Sequence, residues 1–122
     1  ATATEAEVTR ALVAFERSAT PTAAATAYRG GLARWPASLT LRVGLGNALY
    51  AGADLGGAEA AFRLAAEVHD AAAAWNNLAR LLLEQGRTAE ARQAAERALA
   101  NAGPLEVQVR ATLAEIDAHA PH

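Results

Sequence analysis

Apolar residues recur along this chain at the spacing of helix faces. Val8, Ala11, Leu12 and Phe15 stand at i, i+3, i+4 and i+7, one face of a helix. Leu105, Val109, Leu113 and Ile116 form a stripe near the other end, with Glu106, Arg110, Glu115 and Asp117 on the opposite, wet side. No segment alternates with a period of two, so no strand is predicted. The punctuation cuts the pattern into helices. Thr20-Pro21 reads as an N-cap followed by proline at the first helical position. Trp35-Pro36 ends a helix, because the residue before proline resists the α conformation. Gly52 and Gly86 follow periodic segments, where left-handed C-caps belong. Asp70 is placed to cap the helix that opens with the alanine run, and Asn101-x-Gly103-Pro104 reads as a C-cap and a stop. Seven helices result: three pairs and a last one.

Two segments repeat each other. The later reads Trp75-x-x-Leu78-Ala79-x-x-Leu82, Gly86, Ala91-x-x-x-Ala95-x-x-Ala98, Pro104. The earlier reads Leu45-Gly46-x-x-Leu49, Ala58-x-x-x-Phe62-x-x-Ala65. Leu78, Leu82, Ala91 and Ala98 each lie 33 residues after Leu45, Leu49, Ala58 and Ala65. A less complete copy, Ala24-x-x-x-Tyr28-x-x-Gly31 followed by Pro36, lies upstream, and its first helix lacks the Trp and the Leu-Gly pair. The small residues Gly46, Ala58, Ala79 and Ala91 suit the points where the two helices of a pair touch, and Phe62 and Trp75 are the large knobs.

This spacing and these landmarks resemble the tetratricopeptide repeat family over residues 5 to 104. The resemblance implies an all-α fold: a right-handed α-α solenoid of three helix pairs with a C-terminal capping helix. The whole of 1–122 is expected to be a single domain, with repeats at about 5–38, 39–71 and 72–104, a cap over 105–118 and a frayed tail over 119–122. It also implies a stacked scaffold that binds proteins and carries no chemistry of its own.

Composition narrows the function. Hydrophobic residues make up 52% but aromatics only 5%, so the core is alanine-rich and must rely on close helix approach. The net charge is -2 and no basic stripe is present, which argues against nucleic acid. All 11 basic residues are arginine, a codon-usage sign of a GC-rich bacterial genome. No apolar run is long enough to insert into a membrane. With no cysteine there are no disulfides, thiol nucleophiles or thiolate metal sites. The chain begins without methionine, as a processed or excised piece would.

Nothing assembles into a catalytic or metal constellation. His69 falls in a predicted turn, with no acidic residue or second histidine at helical ligand spacing from it, and His119 and His122 fall in the tail. Gly44-x-Gly46 lies inside a helical pattern rather than between a strand and a helix, which favours close packing over a nucleotide loop. Glu59 and Arg63 read as an i, i+4 surface pair. No enzyme activity, cofactor or metal is expected.

The candidate site is the concave groove, lined by the first helix of each pair. Val43, Asn47 and Tyr50 share one stripe; Asn76, Arg80 and Leu83 share the equivalent stripe one repeat later; Thr9, Val13 and Glu16 are the counterpart in the first pair. Val13, Val43, Tyr50 and Leu83 would be apolar yet left uncovered by the repeat's own packing. Asn47 and Asn76 offer amides to a peptide backbone, and Arg80 a fork suited to a carboxylate. Asn47 and Arg80 also resemble parts of the carboxylate clamp of some tetratricopeptide domains. That clamp adds two lysines and a first-repeat asparagine, whereas this chain has no lysine and offers Thr9 and Val13. The partner is therefore expected to be a protein or peptide segment. Self-association into a homo-oligomer is the alternative.

A further resemblance rests on Arg34-Trp35-Pro36, Gly44 to Tyr50, Asn76-Asn77-Leu78-Ala79 and Ala111 to Ile116. These are similar to the C-terminal repeat region of exported bacterial cysteine-peptidase-like proteins of the bacteriocin-processing type. That resemblance implies an accessory arm and leans towards the cell envelope or periplasm, with the cytoplasm left open.

Overall fold

The computed structural model describes residues 2–119. All regular structure among them is helical: α1 Glu5–Glu16, α2 Pro21–Arg34, α3 Leu39–Ala51, α4 Leu55–His69, α5 Ala72–Glu84, α6 Thr88–Ala100, a 3₁₀ turn Gly103–Leu105, and α7 Glu106–His119. Of the expected frayed tail, His119 closes α7; the rest, His122 included, lies outside the described residues. The chain divides into two compact units, Ala1–Ala61 and Phe62–His122.

In the first unit, side chains set the helix starts. Thr4 and Glu7 form a reciprocal capping box on α1. Thr20 caps α2 with Pro21 at its first position, and Ser38 caps α3. Asp54 Oδ1 accepts from the Gly57 N–H at 3.0 Å at the start of α4. α2 packs on α3, and α1 on both. Gly31 is the meeting point: a Cβ there would stand 3.1 Å from Cδ1 of both Leu12 and Leu41. Gly44 is a second close approach. A Cβ at that position would come within 2.4 Å of the Tyr28 ring, so this glycine serves packing.

The packing face of α1 differs from the expected one. Val8, Thr9, Leu12 and Glu16 are half-buried, while Ala11 is exposed and Phe15 is 45% exposed. The helix has no fully buried residue. Glu16 turns inward because its carboxylate accepts the Tyr28 hydroxyl at 2.9 Å.

In the second unit α5 packs on α6, and α7 on both. Trp75, Leu78, Leu81 and Leu82 are buried from α5, and Ala91, Ala94, Ala95 and Ala98 from α6. The expected stripe on α7 is rotated. Val109, Thr112 and Ile116 are buried, and Leu105 and Leu113 only half-buried. Thr112 can take a core position because its hydroxyl donates to the Gln108 carbonyl at 3.2 Å, which satisfies the polar group locally. Glu106, Arg110, Glu115 and Asp117 are exposed, and Asp117 pairs with Arg92 of α6.

Two of the expected caps lie elsewhere. Gly52 has φ −85°, and the left-handed residue after α3 is Ala53 at φ 64°. The Asp54 N–H reaches the Leu49 carbonyl and the Ala53 N–H the Tyr50 carbonyl, the paired bonds of a Schellman ending. Gly86, at φ 75°, closes α5 with the same two bonds, from Arg87 to Leu82 and from Gly86 to Leu83. Asp70 does not cap α5. The N-cap there is Ala71, with no side-chain bond, and Asp70 itself is left-handed at φ 48°.

Candidate partner-binding site

Six of the expected groove residues belong to the first unit. On α3, Val43 is half-buried, Asn47 is exposed and Tyr50 is 41% exposed. Their neighbours Leu41, Gly44, Ala48 and Leu49 are buried, so the helix separates a packing face from an outward one. On α1, which packs against α3, Val13 is 39% exposed while Thr9 is half-buried. Thr9 therefore belongs partly to the packing face, and Glu16 is engaged by Tyr28.

The other three lie on α5 in the second unit. Arg80 is exposed, and Asn76 and Leu83 are half-buried. The Asn76 Oδ1 is buried and has no hydrogen-bond partner, an unmet acceptor of the kind that costs about 1–3 kcal/mol. Trp75, Leu78 and Leu82 point the other way, into the core. Asn76, Arg80 and Leu83 are thus a face distinct from the core face of the same helix.

The strongest polar constellation was not read from the sequence. The Asp70 carboxylate accepts from the Trp75 indole N–H at 2.8 Å, from Asn101 Nδ2 at 2.8 Å and from Arg97 at 3.2 Å. The Arg97 guanidinium lies over the Trp75 ring, 4.8 Å from its centroid. These bonds, that of Trp75 foremost, then Asn101 and Arg97, hold the Asp70 carboxyl below the usual carboxylate range. The signal was Trp75 itself, since a mostly buried indole needs an acceptor. In the first unit burial, and then the bond to Glu16, push the Tyr28 hydroxyl up to about 12. Both groups tie helices together. Among the described residues no cluster of His, Asp or Glu could hold a metal ion.

Residues 54–106 match the family described as Tetratricopeptide repeat. No curated protein matches the chain. Among solved structures, the type III secretion translocator chaperone SycD of Yersinia enterocolitica, described as an alternative dimer, superposes with TM-score 0.83. The identity is 18%, covering 96% of this chain and 94% of that one. SycD in complex with a peptide of the translocator YopD gives TM-score 0.82 at 18% identity, covering 96% and 95%. A further SycD structure gives 0.80 at 16%, covering 92% and 80%. At this identity the likeness establishes the all-helical, tetratricopeptide-like fold. These matches give no support to the peptidase resemblance or to the envelope placement drawn from it. No helix among the described residues is long and apolar enough to cross a membrane.

Proposed function

We propose, from the match of residues 54–106 to the tetratricopeptide repeat family, that this chain is a protein-binding scaffold, with the outward faces of α1 and α3 as the contact surface of the first unit and that of α5 as the contact surface of the second. On this reading the three helix pairs act as one domain with α7 as its cap, and the chain binds rather than catalyses. The observation that carries it is the exposure of Val13 and Tyr50, about two-fifths each, on helices whose other large apolar residues are mostly covered, Phe15 excepted. Val43 extends that apolar surface, with Asn47 on the same stripe as a polar contact. Asn76, Arg80 and Leu83 supply an amide, a cation and an apolar contact in the second unit. That SycD has been seen with a translocator peptide shows that this fold can hold a peptide.

The test is a double substitution, Tyr50→Ala with Arg80→Ala, in titrations against a captured partner segment. Binding should weaken by about 2 kcal/mol, because a few contacts dominate such interfaces. Thermal stability should change little, since both side chains are exposed. Unchanged affinity would place the partner elsewhere on the protein.

Self-association is the second reading. It is favoured by Val68 and Val107, which are 61% and 78% exposed, well beyond what a helix needs to leave uncovered. Mass measured across a range of protein concentrations separates the two readings.

A further inference from the structure

We propose that the turn between α2 and α3, apart from the Val43–Asn47–Tyr50 stripe, is a docking surface for an acidic segment of a protein partner. Between Glu16 and Asp54 the chain carries Arg17, Arg29, Arg34 and Arg42 and no carboxylate. Two of these arginines are brought to the turn. Arg34, the last residue of α2, lays its guanidinium over the Trp35 ring, 4.3 Å from the centroid, and donates to the Ala3 carbonyl at 3.2 Å. Arg42, near the start of α3, donates to the Pro36 carbonyl at 2.6 Å. Arg34, Pro36 and Ala37 are exposed and Trp35 and Arg42 half-buried, so the surface is open to solvent.

What these arginines lack selects the occupant. In the second unit Arg63, Arg87, Arg92, Arg97 and Arg110 each stand beside a carboxylate. Arg34 and Arg42 form no ion pair among the described residues. Close to Ala3 in the chain are Glu5 and Glu7. Glu7 is turned onto Thr4, accepting from its N–H at 3.2 Å and its hydroxyl at 2.9 Å, and Glu5 is exposed. A main-chain carbonyl positions a guanidinium without neutralising it. Arg34 and Arg42 each give one hydrogen bond and keep further donors, because a guanidinium has five. Both are therefore oriented before a partner arrives, Arg34 also by stacking on Trp35. An incoming aspartate or glutamate finds planar forks suited to its carboxylate. A basic segment would meet like charges, and an apolar one would desolvate two cations without pairing them. The positive charge is local, since the whole chain carries -2 and fields are screened beyond about 8 Å at physiological salt. That favours a short acidic run over a long polyanion such as nucleic acid.

The probe is a blocked alanine heptapeptide with three glutamates at its centre, compared with the same peptide carrying glutamines, each added to the whole chain. The readout is the Trp35 indole N–H resonance in proton–nitrogen correlation spectra. The Trp75 indole, bonded to Asp70, is the reference in the same spectra. The glutamate peptide should move the Trp35 resonance saturably and leave that of Trp75 in place, and the glutamine peptide should bind at least about ten-fold more weakly. Arg34→Gln should weaken binding about three-fold with an unchanged melting temperature, and Arg42→Lys, which keeps the charge but loses the fork, about two-fold. Arg17→Gln removes the same charge at the other end of α2, about 21 Å away along its 14 residues, and should leave binding intact. Equal binding of the two peptides, undiminished affinity in Arg34→Gln, or an equal loss in Arg17→Gln would overturn the proposal. So would tighter binding of an oligothymidylate of the same charge, which would make the ligand nucleic acid. Shifts confined to Asn47 and Tyr50 would also overturn it while leaving the reading of the α3 outward face standing, so the two sites fail separately.

Discussion

The two units are both built of packed helices but hold themselves together differently. In the second, α5 buries seven residues, among them Trp75, Leu78, Leu81 and Leu82. In the first, α1 buries none completely and is fastened by half-buried side chains and the Tyr28–Glu16 bond. The polar ties are opposite in kind. The first unit relies on a tyrosine that must stay protonated, the second on an aspartate that must stay ionised. A common all-helical architecture therefore leaves open what fastens the helices.

The core contrast predicts the largest effect. Leu78 is fully buried, so Leu78→Ala should destabilise by about 2–5 kcal/mol. Leu12 is only half-buried against Gly31, and Leu12→Ala should cost roughly half as much, in proportion to the smaller area it covers. Chemical denaturation of both variants measures the difference. Equal losses would mean that α1 is packed as firmly as α5.

The polar ties predict opposite pH responses. Tyr28 has its pKa raised to about 12 in the folded state, above the usual value near 10. Its contribution is complete below about pH 10 and is lost as pH rises through 12. Tyr28→Phe should remove that alkaline component of the melting curve. Asp70 is shifted the other way, so its contribution is present above the ordinary aspartate pKa and lost as pH falls through the lowered one. Asp70→Asn should flatten the acid limb and leave the alkaline limb alone. Melting temperatures across the pH range decide this. An alkaline limb unchanged in Tyr28→Phe would remove the tyrosine from the account.

Much of this architecture was legible in the sequence because periodicity reports directly on helix faces. The helix order, the Thr20-Pro21 start, the Trp35-Pro36 stop and the buried knobs Phe62 and Trp75 all follow from it. The errors fall where a short sequence window cannot decide rotation. On α1, Val8 and Leu12 serve two possible faces, and only the Tyr28 hydroxyl selects the one that includes Glu16. On α7, the expected apolar stripe left out Thr112, which takes a core position because its hydroxyl is satisfied by its own helix. Asp70 looked like a cap because caps are local, whereas its partners Arg97 and Asn101 lie a whole helix pair away in sequence. For the candidate site, sequence placed Asn47, Tyr50 and Arg80 on outward positions, and each is exposed. Which partner they meet is a matter of shape and charge that one chain's periodicity does not encode.

The smallest predicted effect lies in the two equivalent turns, and it has a definite sign. Gly86 minus the repeat spacing of 33 gives position 53, so the left-handed residue after α3 was marked by the repeat itself. Glycine stands one place early, at Gly52, and alanine is forced to φ 64°. Alanine in that region is strained by roughly 1–2 kcal/mol, which glycine relieves while losing more freedom on folding. Ala53→Gly should therefore stabilise by about 0.5–1 kcal/mol. The reciprocal Gly86→Ala should destabilise by about 1 kcal/mol. A Cβ at Gly86 meets nothing within 4 Å, so that loss isolates backbone strain from crowding. Denaturation midpoints of the two variants should move in opposite directions. If both fall, Ala53 is held by packing that glycine would forfeit, and the two turns are not equivalent in energy despite their common hydrogen bonds.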